Sequence, residues 1–236
     1  MASAAAAPST REQVTPEEWE VRVDLAAAYR LVALHGWDDL IFTHLSVRVP
    51  GTDHFLINPY GLLFEEICAS SLVKIDADGN KVMESGFAVN PAGFVIHSAI
   101  HQGRADAHCV MHLHTVAGQA VAAQRDGLLP LTQTAMQLYG DIAYHDYEGI
   151  ATDPSERKRL VGDLGARNVM ILRNHGTLAV GACVADAFLR LYLLERACAA
   201  QVAALAGGSS VNPPPFGTAE KTAAIAVDVI SGPKGW

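Results

Sequence analysis

Cys109-Val110-Met111-His112-Leu113-His114 is the stretch on which the reading of this chain turns. Its apolar residues and its two histidines, with one residue between them, fit a buried strand. Residues i and i+2 of a strand point to the same face, so His112 and His114 present two imidazoles side by side. Such a pair suits one divalent ion. By itself it is weak evidence for a metal, because two hydrogen-bonded histidines on a half-buried strand show the same spacing.

Downstream, Thr115 leads into a helix of small residues from Val116 to Gln124. Ile142 to His145 reads as a strand and Pro154 to Leu164 as a helix. Val169-Met170-Ile171-Leu172 is an apolar strand that runs into Arg173-Asn174-His175-Gly176. Functional groups gather at strand ends and in the loops that follow, which makes His175 a third candidate ligand. Leu178 to Val180 is a short strand, and a long helix from about Val184 to Ala206 stops at Gly207-Gly208.

Upstream, Trp19, Val23, Ala26, Ala27, Leu31 and Leu34 follow a helical period, with His35-Gly36 as the stop. Thr43 to Val49 alternates like a strand, and His54 to Asn58 reads as its hairpin partner across Pro50-Gly51-Thr52-Asp53. Leu72 to Asp76 is a short strand before the turn signal Asp78-Gly79. Pro91 to Gln102 is helical. This order predicts an α/β fold of three layers (αβα), with a central, mostly antiparallel or mixed sheet flanked by helices. The expected divisions are a disordered leader at 1–15, one domain at 16–210 and an extended C-terminal tail at 211–236, where Pro213-Pro214-Pro215 stands.

Half of the 236 residues are hydrophobic and 18% are charged, as a packed domain requires. The net charge of -8, with no Lys/Arg stripe, argues against a nucleic-acid partner. No apolar run reaches membrane-spanning length, so no membrane partner is expected. Cys68, Cys109, Cys183 and Cys198 form no C-x-x-C pair and read as buried reduced thiols, which fits a cytoplasmic location.

Read together, several stretches resemble the class II aldolase/adducin family. His112-Leu113-His114-Thr115 before a small-residue helix is similar to its metal-binding strand, and Arg173-Asn174-His175-Gly176 to its third-histidine motif. Asn58-Pro59-Tyr60-Gly61-Leu62-Leu63-Phe64, Val89-Asn90 with Ala92-Gly93-Phe94, and Tyr144-His145-Asp146-Tyr147 resemble the adducin head. The similarity keeps its order over roughly residues 17–208. It implies a helix-flanked central sheet, a homotetramer with sites near subunit interfaces, and His112, His114 and His175 as ligands of one divalent metal ion. Zn2+ is the first expectation, with Fe2+, Mn2+ and Co2+ as alternatives.

The sequence departs from the phosphosugar aldolases of that family. Their acid/base glutamate, four residues before a helical histidine, falls at Gly93 when His97 is that histidine. Two serines of their phosphate clamp correspond to Pro91 and Ala92, a Thr-Gly loop to Tyr60-Gly61, and a clamp asparagine to His44. Their tyrosine acid is expected near Pro130, where Thr132, Gln133 and Thr134 stand. A phosphate dianion needs several N–H or O–H donors, and proline and alanine side chains supply none.

The expected function is therefore a metal-dependent lyase, aldolase-like or a decarboxylase. Its substrate would be a small, non-phosphorylated carbonyl or carboxylate compound that passes through an enolate. His44, Tyr60 and Gln133 are candidate pocket residues, and the acid/base is unassigned. Asp146 and Glu148 are carboxylates that could supply one. His97 and His101 are one helical turn apart, which helix packing also explains, and His145 reads as a surface or interface group. The alternatives are a non-haem iron oxygenase on the same scaffold and a non-catalytic adducin-like assembly module.

Overall fold

The computed structural model describes residues 9–89, 91–149, 155–208 and 210–230, with backbone alone for 91–94 and 227–230. Asn90, most of the expected leader and the last six residues of the expected tail lie outside these. Seven strands form one sheet: β1 (His44–Arg48), β2 (Phe55–Ile57), β3 (Val73–Ile75), β4 (Cys109–Leu113), β5 (Ile142–His145), β6 (Val169–Leu172) and β7 (Gly176–Gly181). Their spatial order is β3-β2-β1-β4-β7-β6-β5. Every pairing is antiparallel except β5 with β6.

The helices are α1 (Thr10–Gln13), α2 (Pro16–Leu34), α3 (Pro91–Gly103), α4 (Val116–Ala122), α5 (Gln133–Gln137), α6 (Glu156–Leu164), α7 (Val184–Ala206) and α8 (Thr218–Ile230). Strand alternation divides them between the two faces of the sheet. Leu45, Met111, Leu113, Ile171 and Ala179 point to one side and pack with α2, α4, α5 and α7. Val110, Met170, Leu172, Leu178 and Val180 point to the other and pack with α3 and α6. The result is the expected three-layer αβα architecture around a mixed sheet.

The local signals explain the ends of α2. Thr15 caps it by accepting from Glu18 N–H at 3.1 Å, Pro16 opens it, and Gly36 at φ +65° follows its last turn. Tyr29, fully buried on α2, then fixes β1. Its hydroxyl accepts from Leu45 N–H at 2.7 Å and meets Asn58 Oδ1 at 3.0 Å. That anchors the strand immediately after His44.

Two segments differ from the sequence reading. Thr10–Gln13 forms a helical turn inside the expected leader, where the Ser9 backbone donates to Glu12 Oε2 at 2.7 Å. Thr218–Ile230 is helical inside the expected extended tail and packs on α5 and α7. The triple proline masks it in the sequence. Proline ends regular structure locally, yet the chain restarts after Gly217 at φ +77°, and Ala219 and Ala226 become buried. No helix among the described residues is long and apolar enough to cross a membrane.

Candidate metal centre

β4 lies between β1 and β7, and this arrangement builds the site. Register pairs His44 with His112 across β1 and β4, and Leu178 with His112 across β4 and β7. His112 and His114 project from the α3 side. His175 arrives from the tight turn that joins β6 to β7. That turn is pinned by Arg173 N–H to the His145 carbonyl at 2.8 Å, Asn174 N–H to Ala122 O at 3.1 Å and His175 N–H to Leu172 O at 3.0 Å. The three imidazole rings converge with centroids 4.7, 4.7 and 4.8 Å apart, and their ligand nitrogens all lie within 4.8 Å of one another.

Gly176 makes this convergence sterically feasible. A Cβ there would stand 2.3 Å from the Leu113 carbonyl oxygen and 3.1 Å from the His114 ring. The non-glycine residues with left-handed φ, among those described, are Leu40 (53°), Thr43 (67°) and Asn174 (55°). Leu40 follows Asp39, Thr43 precedes His44 and Asn174 precedes His175. Asparagine tolerates that conformation, but leucine and β-branched threonine resist it, at a cost of about 1–3 kcal/mol each. The strain is thus concentrated next to the side chains of the site.

Hydrogen bonding fixes which nitrogens are free. His112 Nδ1 lies 2.9 Å from the Thr177 carbonyl oxygen, and His114 Nδ1 lies 3.2 Å from Asp39 Oδ2. A carbonyl and a carboxylate only accept, so both Nδ1 atoms carry hydrogen. Burial holds His112 well below the ordinary imidazole range, aided by the neighbouring His175, His114 and His97. Burial also lowers His114, partly offset by Asp39, and brings His175 down to about 4. These rings are neutral at pH 7, so Nε2 of His112 and Nε2 of His114 are both bare. They nevertheless stand 2.9 Å apart. Two lone pairs repel at that distance unless a cation lies between them, and three neutral imidazoles are a donor set suited to a divalent ion. The residues present therefore fit the metal that the sequence reading expects.

Behind the strands, Glu195 of α7 is buried and accepts from the hydroxyls of Thr115 and Thr177. Thr115 also caps α4 by accepting from Gly118 N–H at 2.9 Å. One carboxylate thus joins the end of β4 to the start of β7. Its own proton affinity is raised by burial, against the lowering effect of the two hydroxyls.

The remaining candidates are placed as follows. His44 is buried on the face that carries His112, and burial together with His114 lowers it to about 4. Tyr60 is half-exposed and bridges to Ala88, its N–H donating to the Ala88 carbonyl at 2.8 Å. Gln133 is exposed at the start of α5. Among the described residues neither Tyr60 nor Gln133 makes a hydrogen bond or ring contact with the three histidines. Gly93 lies in the first turn of α3. His145 is buried rather than on the surface, with Nδ1 at 2.7 Å from Asp163 and Nε2 at 3.4 Å from Glu156. Glu148 pairs with Arg159. Tyr147 sets its ring 6.0 Å from that of His175, and Asp146 lines the same small crevice.

Sequence reasoning did not find Asp39, Ser46 or Glu195. Asp39 sits in the irregular segment Trp37-Asp38-Asp39-Leu40, and only its pairing with His114 gives it meaning. Glu195 could have been noticed as an acidic residue on the apolar face of a long helix.

The model of the Class II Aldolase and Adducin N-terminal domain matches residues 23–202. The crystal structure of an aldolase II superfamily protein from Pseudomonas syringae is 54% identical at a TM-score of 0.91, covering 94% of this chain and 90% of its own. An L-fuculose 1-phosphate aldolase from Glaciozyma antarctica is 30% identical at a TM-score of 0.79, covering 96% of this chain and 93% of its own. Alpha-adducin of Mus musculus is 47% identical over 190 residues, which are 79% of this chain and 26% of that much longer protein. With the family model spanning all three histidines, the chain belongs to the class II aldolase and adducin N-terminal domain family.

Proposed function

We propose that the chain is a divalent-metal-dependent lyase acting on a small, non-phosphorylated carbonyl or carboxylate compound. The observation that carries this reading is the 2.9 Å approach of two bare imidazole nitrogens, His112 Nε2 and His114 Nε2, with His175 completing the triangle. His112, His114 and His175 would hold a divalent ion, Zn2+ first, which would supply Lewis acidity for C–C cleavage or decarboxylation.

The chain's own residues do the rest. Thr177 and Asp39 orient the ligand rings. His44 is the foremost contact for substrate, with Tyr60 and Gln133 as further pocket residues to be tested by Tyr60→Phe and Gln133→Ala. Gly93 cannot move a proton, and Glu148 is engaged by Arg159. Asp146 and Tyr147, beside His175, are the groups we assign to proton transfer. The absence of side-chain donors at Pro91 and Ala92 argues against a phosphorylated substrate. The reading includes a cytoplasmic homotetramer, tested by light scattering.

Metal analysis of untagged protein, grown with zinc, iron and manganese, tests the proposal. About one ion per chain in the wild type and its loss in His112→Ala support it. A wild type that stays metal-free sinks it. The similarity to alpha-adducin favours a second reading, a non-catalytic assembly module. That module would keep its oligomeric state in His112→Ala and turn over nothing in a panel of oxo and hydroxy acids. Iron in the isolated protein with oxygen uptake on the same panel would instead mark an oxygenase.

A further inference from the structure

A hydrogen-bonded relay leads from the backbone toward the three histidines. His101 Nδ1 lies 2.9 Å from the Ala107 carbonyl oxygen. Ser46 Oγ lies 2.7 Å from His101 Nε2 and 2.7 Å from His97 Nδ1. All three side chains are buried. The carbonyl only accepts, so His101 carries its hydrogen on Nδ1 and leaves Nε2 bare. Ser46 has a single hydroxyl hydrogen and gives it to that nitrogen. The serine oxygen can then only accept from His97 Nδ1, which leaves His97 Nε2 bare. Burial supports this assignment by keeping both rings neutral, bringing His101 to about 3 and His97 well below its ordinary range.

His97 Nε2 is buried and finds no hydrogen-bond partner among the described residues, and the same holds for His44 Nε2. The two rings stand edge to face at 5.9 Å. His44 is the cross-strand partner of His112, which places the His44–His97 pair beside the three-histidine centre. A buried acceptor without a donor is costly, and a ligand that brings a donor relieves it. A keto oxygen brings only lone pairs, whereas a hydroxyl brings hydrogen.

We propose that His97 Nε2, beside His44, is a subsite for the hydroxyl of a small hydroxy acid held at the three-histidine centre, and that the Ser46 relay sets this preference over the matching oxo acid. The subsite rests on the metal-centre reading above. Specificity follows from mismatch: an analogue without the hydroxyl leaves the histidine acceptor unpaired.

Two measurements test this. Long-range proton–nitrogen NMR of the whole chain, with His97 assigned through His97→Gln, reads which ring nitrogen is protonated. Protonation at Nδ1 in the wild type is expected, and protonation at Nε2 overturns the subsite. Cobalt(II)-loaded protein is then titrated with lactate, as both enantiomers, and with pyruvate, following the visible spectrum. Ser46→Ala frees His97 to move its hydrogen to Nε2, so the lactate-over-pyruvate preference is expected to fall by about tenfold at unchanged cobalt content. An unchanged preference at full cobalt content overturns the subsite alone. A wild type that takes up no cobalt overturns the metal reading, and the subsite with it.

Discussion

Asp39 reaches His114 across 75 positions of sequence and holds its Nδ1 at 3.2 Å. The bond commits the ring's hydrogen to the far side and aims Nε2 at His112. Outer partners of this kind are worth roughly 10–100-fold in metal affinity. Asp39→Ala is therefore expected to weaken metal binding by about that factor in a chelator competition. Asp39 is 42% exposed, so the circular dichroism of the variant should match the wild type. Equal affinity in both proteins would remove Asp39 from the site.

Gly176→Ala tests the close approach of β7 to β4. The added methyl meets the Leu113 carbonyl, which is held within the sheet. Overpacking of this kind costs about 1–3 kcal/mol, and relief requires the two strands to part where the histidines meet. Both a lower unfolding midpoint and weaker metal binding are expected in the same variant. A stable, fully metallated Gly176→Ala would show that the turn has slack.

Glu195→Ala leaves the hydroxyls of Thr115 and Thr177 buried without their acceptor. Each stranded group costs about 1–3 kcal/mol. Because the Thr177 carbonyl also orients His112, metal affinity should fall along with stability. Denaturant titration with and without metal separates the two effects. An equal loss with and without metal would make Glu195 purely architectural.

Acid should unfold the metal-free protein in a defined window. Burial depresses His44 to about 4 and His101 to about 3, from an ordinary value of 6.5. The unfolded chain binds these protons first as pH falls. The stability that neutral histidines contribute is present above about 6.5 and is lost progressively on the way down to about 4 and below. Thermal midpoints measured from pH 7.5 to 4 should fall across that interval. Bound metal should steepen the fall, since protons compete for the same nitrogens. A flat profile would contradict the buried neutral state.

The sequence makes the strands of the site legible because strand alternation is local. His112-x-His114 declares its shared face within three residues, and Gly36 and Thr15 declare the ends of α2. His175 needed the resemblance, because one histidine after an apolar strand has many explanations. Asp39 and Ser46 were illegible for a different reason: each acts through a partner 75 or 51 positions away. The pairing of His97 with His101 was visible as one helical turn, but the serine between them comes from another layer. The parallel pairing of β5 and β6 and the helix α8 likewise depend on tertiary contacts that no local pattern records.

The seam between β4 and β7 joins residues 109–113 to 177–181 and closes a long loop of chain. Contacts of such sequence separation form late, since loop-closure entropy must be overcome before they gain anything. The three-histidine cradle is therefore expected to close only when the last central strand docks. Metal uptake is then expected to report the final step of folding. In refolding started by dilution from denaturant, the far-ultraviolet signal should recover first and the cobalt spectrum should lag behind it, at a rate that free cobalt concentration does not change.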